Sequence, residues 1–220
     1  MFKVVAALLA SVLATPLAAH ASRVVIKPQL VVRIYNAFGV GPEHMTTAQG
    51  TARAILWRAG IDAVWRDCRA LAEAELSDSS CDHPLQPGEV LIRVVAAAPT
   101  SADGRLGFSW VDVQQRSGSL ATVLGDRVEA MAVRTETDLG RLLGRVMAHE
   151  IGHMLTGTSQ HSPFGLMRAR WQDEEVRQDR PGDWMLSQED ARRMLWGFLA
   201  QSRRPDKRAM RVAGVVHRAP

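Results

Sequence analysis

Leu139-Gly140-Arg141-Leu142-Leu143-Gly144-Arg145-Val146-Met147-Ala148-His149-Glu150-Ile151-Gly152-His153-Met154-Leu155-Thr156-Gly157 is the stretch on which the reading of this chain turns. Leu139, Leu142, Leu143, Val146, Met147, Ile151 and Met154 recur at the i, i+3, i+4, i+7 spacing of a helix with a buried face. Thr135 with Asp138 resembles a capping box at its start, and Gly157 supplies the left-handed residue that commonly ends a helix. His149 and His153 stand one turn apart, so their Cβ atoms lie roughly 5–6 Å from each other on one face. Two imidazoles that close can converge on one tetrahedral zinc ion. Glu150 is off the ligand positions but beside them, where a carboxylate can act as general base toward a water on the metal.

His161 and Met167 follow downstream. The segment from His149 to Met167 resembles the metzincin metallopeptidases, whose motif is H-E-x-x-H-x-x-G-x-x-H followed by a methionine-containing turn. His149, Glu150 and His153 fall on the first two ligands and the base, while Gly157 comes one residue late and His161 two. The run His161-Ser162-Pro163-Phe164-Gly165-Leu166-Met167 is similar to the matrixin-type continuation. The resemblance implies His161 as third ligand, Zn2+ as cofactor, and Met167 as a soft apolar floor beneath the ion rather than a ligand. It also implies an α/β (α+β) fold, in which a twisted mixed sheet packs on the zinc-ligand helix and a small helical subdomain follows. The activity implied is that of a zinc-dependent endopeptidase acting on polypeptide substrates.

Two alternatives stay open at this stage. Glu174 or Glu175 lies at a distance suited to a gluzincin-type third ligand, although Asp173-Glu174-Glu175 also reads as the acidic first turn of a helix. The other is a non-catalytic, zinc-stabilised binding module. Glu150 argues against it, because a structural zinc site closes with four ligands, usually including Cys, and has no use for that carboxylate.

Residues 1–21 carry Lys3, an apolar run and Ala19-His20-Ala21, the pattern of a signal peptide cleaved before Ser22. Pro16 and the shortness of the run argue against a membrane span, so the expectation is export to the periplasm or medium without stable membrane insertion. Residues 22–202 suit a single zinc metallopeptidase domain. Residues 203–220 hold Arg203, Arg204, Lys207, Arg208, Arg211 and Arg218 against Asp206 alone, and read as a basic flexible tail. That tail accounts for the formal charge of +4, so the body has no basic bias and nucleic acid is not an expected partner.

Strands are expected at 30–40, 61–65 and 90–96, the last so uniformly apolar that burial on both faces is predicted. A helix is expected over 46–59, stopping at Gly60. Residues 108–113 and 120–123 read as a hairpin around Ser117-Gly118, with the zinc helix next. One of these two strands, at an antiparallel edge above the site, would bind an extended peptide by backbone pairing. Ser187 caps a further helix with Leu195, Trp196 and Leu199 on its apolar face. Cys68 and Cys81 are the only cysteines, and in an exported chain such a pair is expected to form a disulfide. His44, His83 and His217 have no partner at ligand spacing and read as surface residues.

Overall fold

The computed structural model describes residues 27–68, 81–98 and 104–203. The segments 1–21 and 204–220 therefore lie outside the described residues. Five strands, β1 (Gln29–Asn36), β2 (Asp62–Cys68), β3 (Glu89–Val95), β4 (Gly107–Asp112) and β5 (Ser117–Leu124), form one sheet in the order β2-β1-β3-β5-β4. The first three and β5 run parallel, and β4 pairs antiparallel with β5 at the edge. The helices are α1 (Pro42–Arg58), α2 (Gly125–Thr135), α3 (Leu139–Thr156), α4 (Asp173–Gln178) and α5 (Gln188–Ser202), with a 3-10 turn at Pro181–Trp184. No described helix is long and apolar enough to cross a membrane.

Residues 90–96 form a strand as expected, but it is not buried on both faces. Val90, Ile92 and Val94 are buried, whereas Leu91 and Val95 are half-buried and Arg93 is exposed. The cause is that α1 and α3 pack on one side of the sheet, joining Leu30, Val32 and Ile34 of β1 to the same core. On the opposite side, Arg33 is buried because the carbonyls of Cys81, His83 and Pro84 and the carboxylate of Glu89 take its guanidinium. The Cys68–Cys81 disulfide is present and ties the end of β2 to that covering segment.

Several boundaries differ from expectation for identifiable reasons. Helix α1 starts at Pro42, a residue suited to a first helical position because it has no N–H to leave unpaired. Ser117 and Gly118 belong to β5, and the hairpin turns over 113–116 with Arg116 at φ 49°. Gly118 serves packing: a Cβ there would stand 2.9 Å from the Cα of Met154 on α3. Helix α2 separates the hairpin from α3, and Thr135 is its last residue, donating its hydroxyl to the carbonyl of Met131. The cap of α3 is Asp138, which accepts from the Arg141 N–H at 2.7 Å, and Gly157 closes the helix at φ 62°.

Helix α3 is the axis of the molecule and is buried along most of its length. It touches α1 closely because Gly144 has no side chain; a Cβ there would lie 2.4 Å from the Ala48 carbonyl oxygen. On α5, Ser187 caps as expected, but Met194 and Phe198 are the buried apolar residues while Trp196 is 70% exposed. Val176, Trp184, Met194 and Phe198 join the same apolar core as the sheet, so the C-terminal helices are continuous with it.

Candidate metal centre

His149 and His153 lie one turn apart on the buried face of α3, as their spacing predicts, and the chain after Gly157 brings His161 back to them. Ligand nitrogens of all three lie within 4.8 Å of one another, and among the described residues they are the group of side chains able to hold a metal. The Nε2 atoms of His149 and His153 are 3.0 Å apart, and those of His153 and His161 3.3 Å. Tetrahedral zinc with Zn–N bonds of about 2.0–2.1 Å requires ligand nitrogens about 3.3 Å apart.

The hydrogen bonds of the other ring nitrogens decide what these Nε2 atoms are. Nδ1 of His149 meets the Leu166 carbonyl at 2.9 Å, and Nδ1 of His153 meets the Thr158 carbonyl at 2.8 Å. A carbonyl can only accept, so each Nδ1 carries the proton and each Nε2 a lone pair. Burial, with the neighbouring His153 as a smaller cause, pushes His149 down to about 3, so the ring is neutral. His153 and His161 are also lowered, each chiefly by desolvation. Two lone pairs facing each other at 3.0 Å repel unless a cation lies between them. The donor set, its neutrality and its spacing fit zinc, and the backbone carbonyls supply the outer partners that ligating histidines need.

Met167 packs against α3. Its Sδ would be 2.7 Å from a Cβ at Gly152, so the thioether rests on bare helix backbone between the two helical ligands. The turn is held by the Ser162 N–H on the Met167 carbonyl at 2.9 Å and by Gly165 at φ 73°. Trp171 packs edge-on to His149, with ring centroids 5.7 Å apart, and donates Nε1–H to the Leu166 carbonyl that also accepts from His149.

Glu150 is buried, and its carboxylate accepts from the Ser109 hydroxyl on β4; that hydroxyl also lies 2.9 Å from the Glu150 carbonyl oxygen. Burial raises Glu150 to about 7, against the smaller lowering effects of Ser109 and Arg105. Gly107, two residues before Ser109, leaves room for it: a Cβ would stand 2.9 Å from Glu150 Oε1. Strand β4 is one of the two edges of the described sheet, whereas β5 is interior.

The glutamates considered as alternative ligands are placed elsewhere. Glu174 accepts from Arg177 and Gln178, and Glu175 accepts from Arg168 and from the Gln172 N–H at 3.0 Å in a capping box on α4. Both are held below the usual carboxylate range, Glu174 first by Gln178 and Glu175 first by the Gln172 N–H. Ser109, Trp171 and the two carbonyls went unnoticed in the sequence. Only Ser109 had a signal there, as a small polar residue alternating with Phe108 and Trp110.

No protein-family model matches the chain, and none of the curated proteins matches it. Among solved structures it is similar to a zinc-dependent peptidase from Methanocorpusculum labreanum, with 15% identity and a TM-score of 0.48 over 74% of this chain and 99% of that one. It is also similar to archaemetzincin from Methanopyrus kandleri, with 13% identity and a TM-score of 0.45 over 84% of this chain and 99% of that one.

Proposed function

We propose that this protein is an exported zinc-dependent endopeptidase of metzincin type, in which His149, His153 and His161 hold the ion and Glu150 is the general base. The observation that carries the reading is the pair of unprotonated Nε2 atoms facing each other at 3.0 Å, with the third imidazole beside them. A zinc ion held by these three neutral imidazoles would supply a Lewis acid able to acidify a water and polarise a carbonyl. Glu150, with an affinity for protons near neutrality, takes the proton of the attacking water on its carboxylate and delivers it to the leaving amine. Ser109 fixes the carboxylate rotamer by its hydroxyl proton.

A polypeptide fits this site better than a small molecule because β4 ends the described sheet beside Glu150. An extended chain laid along that edge pairs with backbone N–H and C=O groups and brings its carbonyl to the base. Phe108 and Trp110 alternate with Ser109 on this strand, and Trp110 is 62% exposed. Export follows from the reading of residues 1–21 and is tested by secretion of the chain with and without them.

The discriminating experiment replaces Glu150 by Ala in the purified protein. Zinc content stays near one per chain while peptide hydrolysis falls by at least about a hundredfold, the usual contribution of a general base. A variant that still cleaves removes Glu150 from the mechanism, and a parent that binds zinc without cleaving any peptide is a binding module instead.

A further inference from the structure

His149 and His153 project from α3, and each gives its Nδ1 proton to a backbone carbonyl. His161 has neither support. Nδ1 of its ring meets no acceptor among the described residues, the residue is exposed, and it stands on the irregular segment between Gly157 and α4. The aim of this ring therefore depends on the backbone that carries it. Two hydrogen bonds at the next residue hold that backbone: the Ser162 N–H donates to the Met167 carbonyl at 2.9 Å, and the Ser162 hydroxyl donates to Oδ1 of Asp190 at 2.7 Å.

Asp190 lies in the first turn of α5 and is buried. Burying a carboxylate costs free energy unless hydrogen bonds offset the lost water. The cap of α5 does not require it, because the Asp190 N–H is already met by the Ser187 hydroxyl oxygen at 3.0 Å. The carboxylate instead takes the hydroxyl protons of Ser162 and Ser187, each at 2.7 Å. Helix α5 is in turn fixed to α3. A Cβ at Gly197 would stand 1.9 Å from the Leu155 carbonyl oxygen, and Gln201 Nε2 donates to the Met154 and Leu155 carbonyls at 3.1 and 2.9 Å. Met194, one turn beyond Asp190, reaches between the two helical ligands, its Sδ 3.6 Å from a Cβ built at Gly152. The helix that bears two imidazoles thus holds α5, and α5 holds the loop that bears the third.

We propose that Asp190 is a positioning residue for the metal centre: by accepting from the Ser162 hydroxyl, it fixes the backbone beside His161 and so the place of the third imidazole relative to the two on α3. This role rests on the reading of the three histidines as a zinc site. Asp190 touches neither the ion nor the substrate.

Competition against a chromophoric chelator, with folding of each variant checked by circular dichroism, measures the effect on zinc. The visible absorption of the cobalt-loaded protein reports the arrangement of the imidazoles independently of activity. Ser162→Ala and Asp190→Ala should each weaken zinc about tenfold, the low end of what losing an outer partner of a ligand costs. Both remove one interaction, so the double variant should be no weaker than either alone. Asp190→Asn still meets the Ser162 hydroxyl and should stay nearer the parent. Ser187→Ala removes the cap of α5 but not the Ser162 bond, so it should lower the unfolding temperature of the metal-free protein and leave zinc affinity near the parent value. The cobalt spectrum should change in Ser162→Ala and Asp190→Ala and not in Ser187→Ala. Parent-like affinity and spectrum in Ser162→Ala overturn the role; that variant alters a half-buried loop residue and decides the question should Asp190→Ala fail to fold. Additive losses in the double variant overturn it as well, as does an Asp190→Asn variant no better than Asp190→Ala. A parent that takes up no zinc removes the metal reading itself, and this role with it.

Discussion

Replacing Glu150 by Gln should make the metal-free protein more stable at neutral and alkaline pH, and only there. Burial raises this carboxyl from its ordinary value of 4.5 to about 7. A raised carboxyl pKa means that the folded state holds its proton more tightly than the unfolded chain does. The stability it confers is complete below the unfolded value and is lost as pH rises through the folded one. At about 1.4 kcal/mol per pKa unit, the shift is worth on the order of 3 kcal/mol by pH 8. Gln keeps the shape and accepts from the Ser109 hydroxyl in the same place, but it never ionises. Urea unfolding of chelated parent and variant, with the disulfide intact, should show a difference near zero at pH 4.5 that grows to about 3 kcal/mol at pH 8 in favour of Gln. A variant equal to or weaker than the parent at pH 8 would show instead that Glu150 is a stabilising core residue. A costly carboxylate kept in a buried place is the signature of a group retained for chemistry.

Two further outcomes follow from the geometry. His161→Ala should lower zinc affinity sharply, whereas Glu174→Ala and Glu175→Ala leave it near the parent value, because their carboxylates are held by Gln178 and Arg177 and by Gln172 and Arg168; competition against a chromophoric chelator measures all three. Reduction of the Cys68–Cys81 bridge should lower stability by about 3 kcal/mol, the value for a loop of this size, while zinc stays bound, since the ligands are imidazoles; parallel thermal unfolding and metal analysis check both halves.

Much of the site was legible because it is local. His149, Glu150 and His153 lie on one helix, whose spacing fixes their geometry, and the cap at Gly157 is readable from a single residue. Met167 was singled out through the resemblance alone, and the structure adds that its thioether packs on the bare backbone at Gly152. The outer partners were not, because a carbonyl such as that of Leu166 or Thr158 is the same group at every residue, and only the fold decides which one a ring nitrogen meets. Helix α2 was missed because Asp126, Arg127, Glu129 and Arg134 interrupt its apolar residues, although Val128, Met131, Ala132 and Thr135 keep the helical spacing. Gly118 illustrates the opposite error: a glycine beside serine suggests a turn, but here it admits the Met154 backbone of α3 to the sheet. On α5, apolar character alone favoured Trp196, whereas Met194 and Phe198 are the residues that face the core.

If three imidazoles hold a zinc ion that this chain uses to cleave polypeptides, activity must follow the metal. A mixture of internally quenched peptides is incubated with purified protein as isolated, after chelation, and after addition of one equivalent of zinc. Cleavage should disappear with chelation and return with zinc, and His153→Ala should lack it under all three conditions. Cleavage that survives complete removal of the metal, or that persists in His153→Ala, would contradict a zinc-dependent reaction.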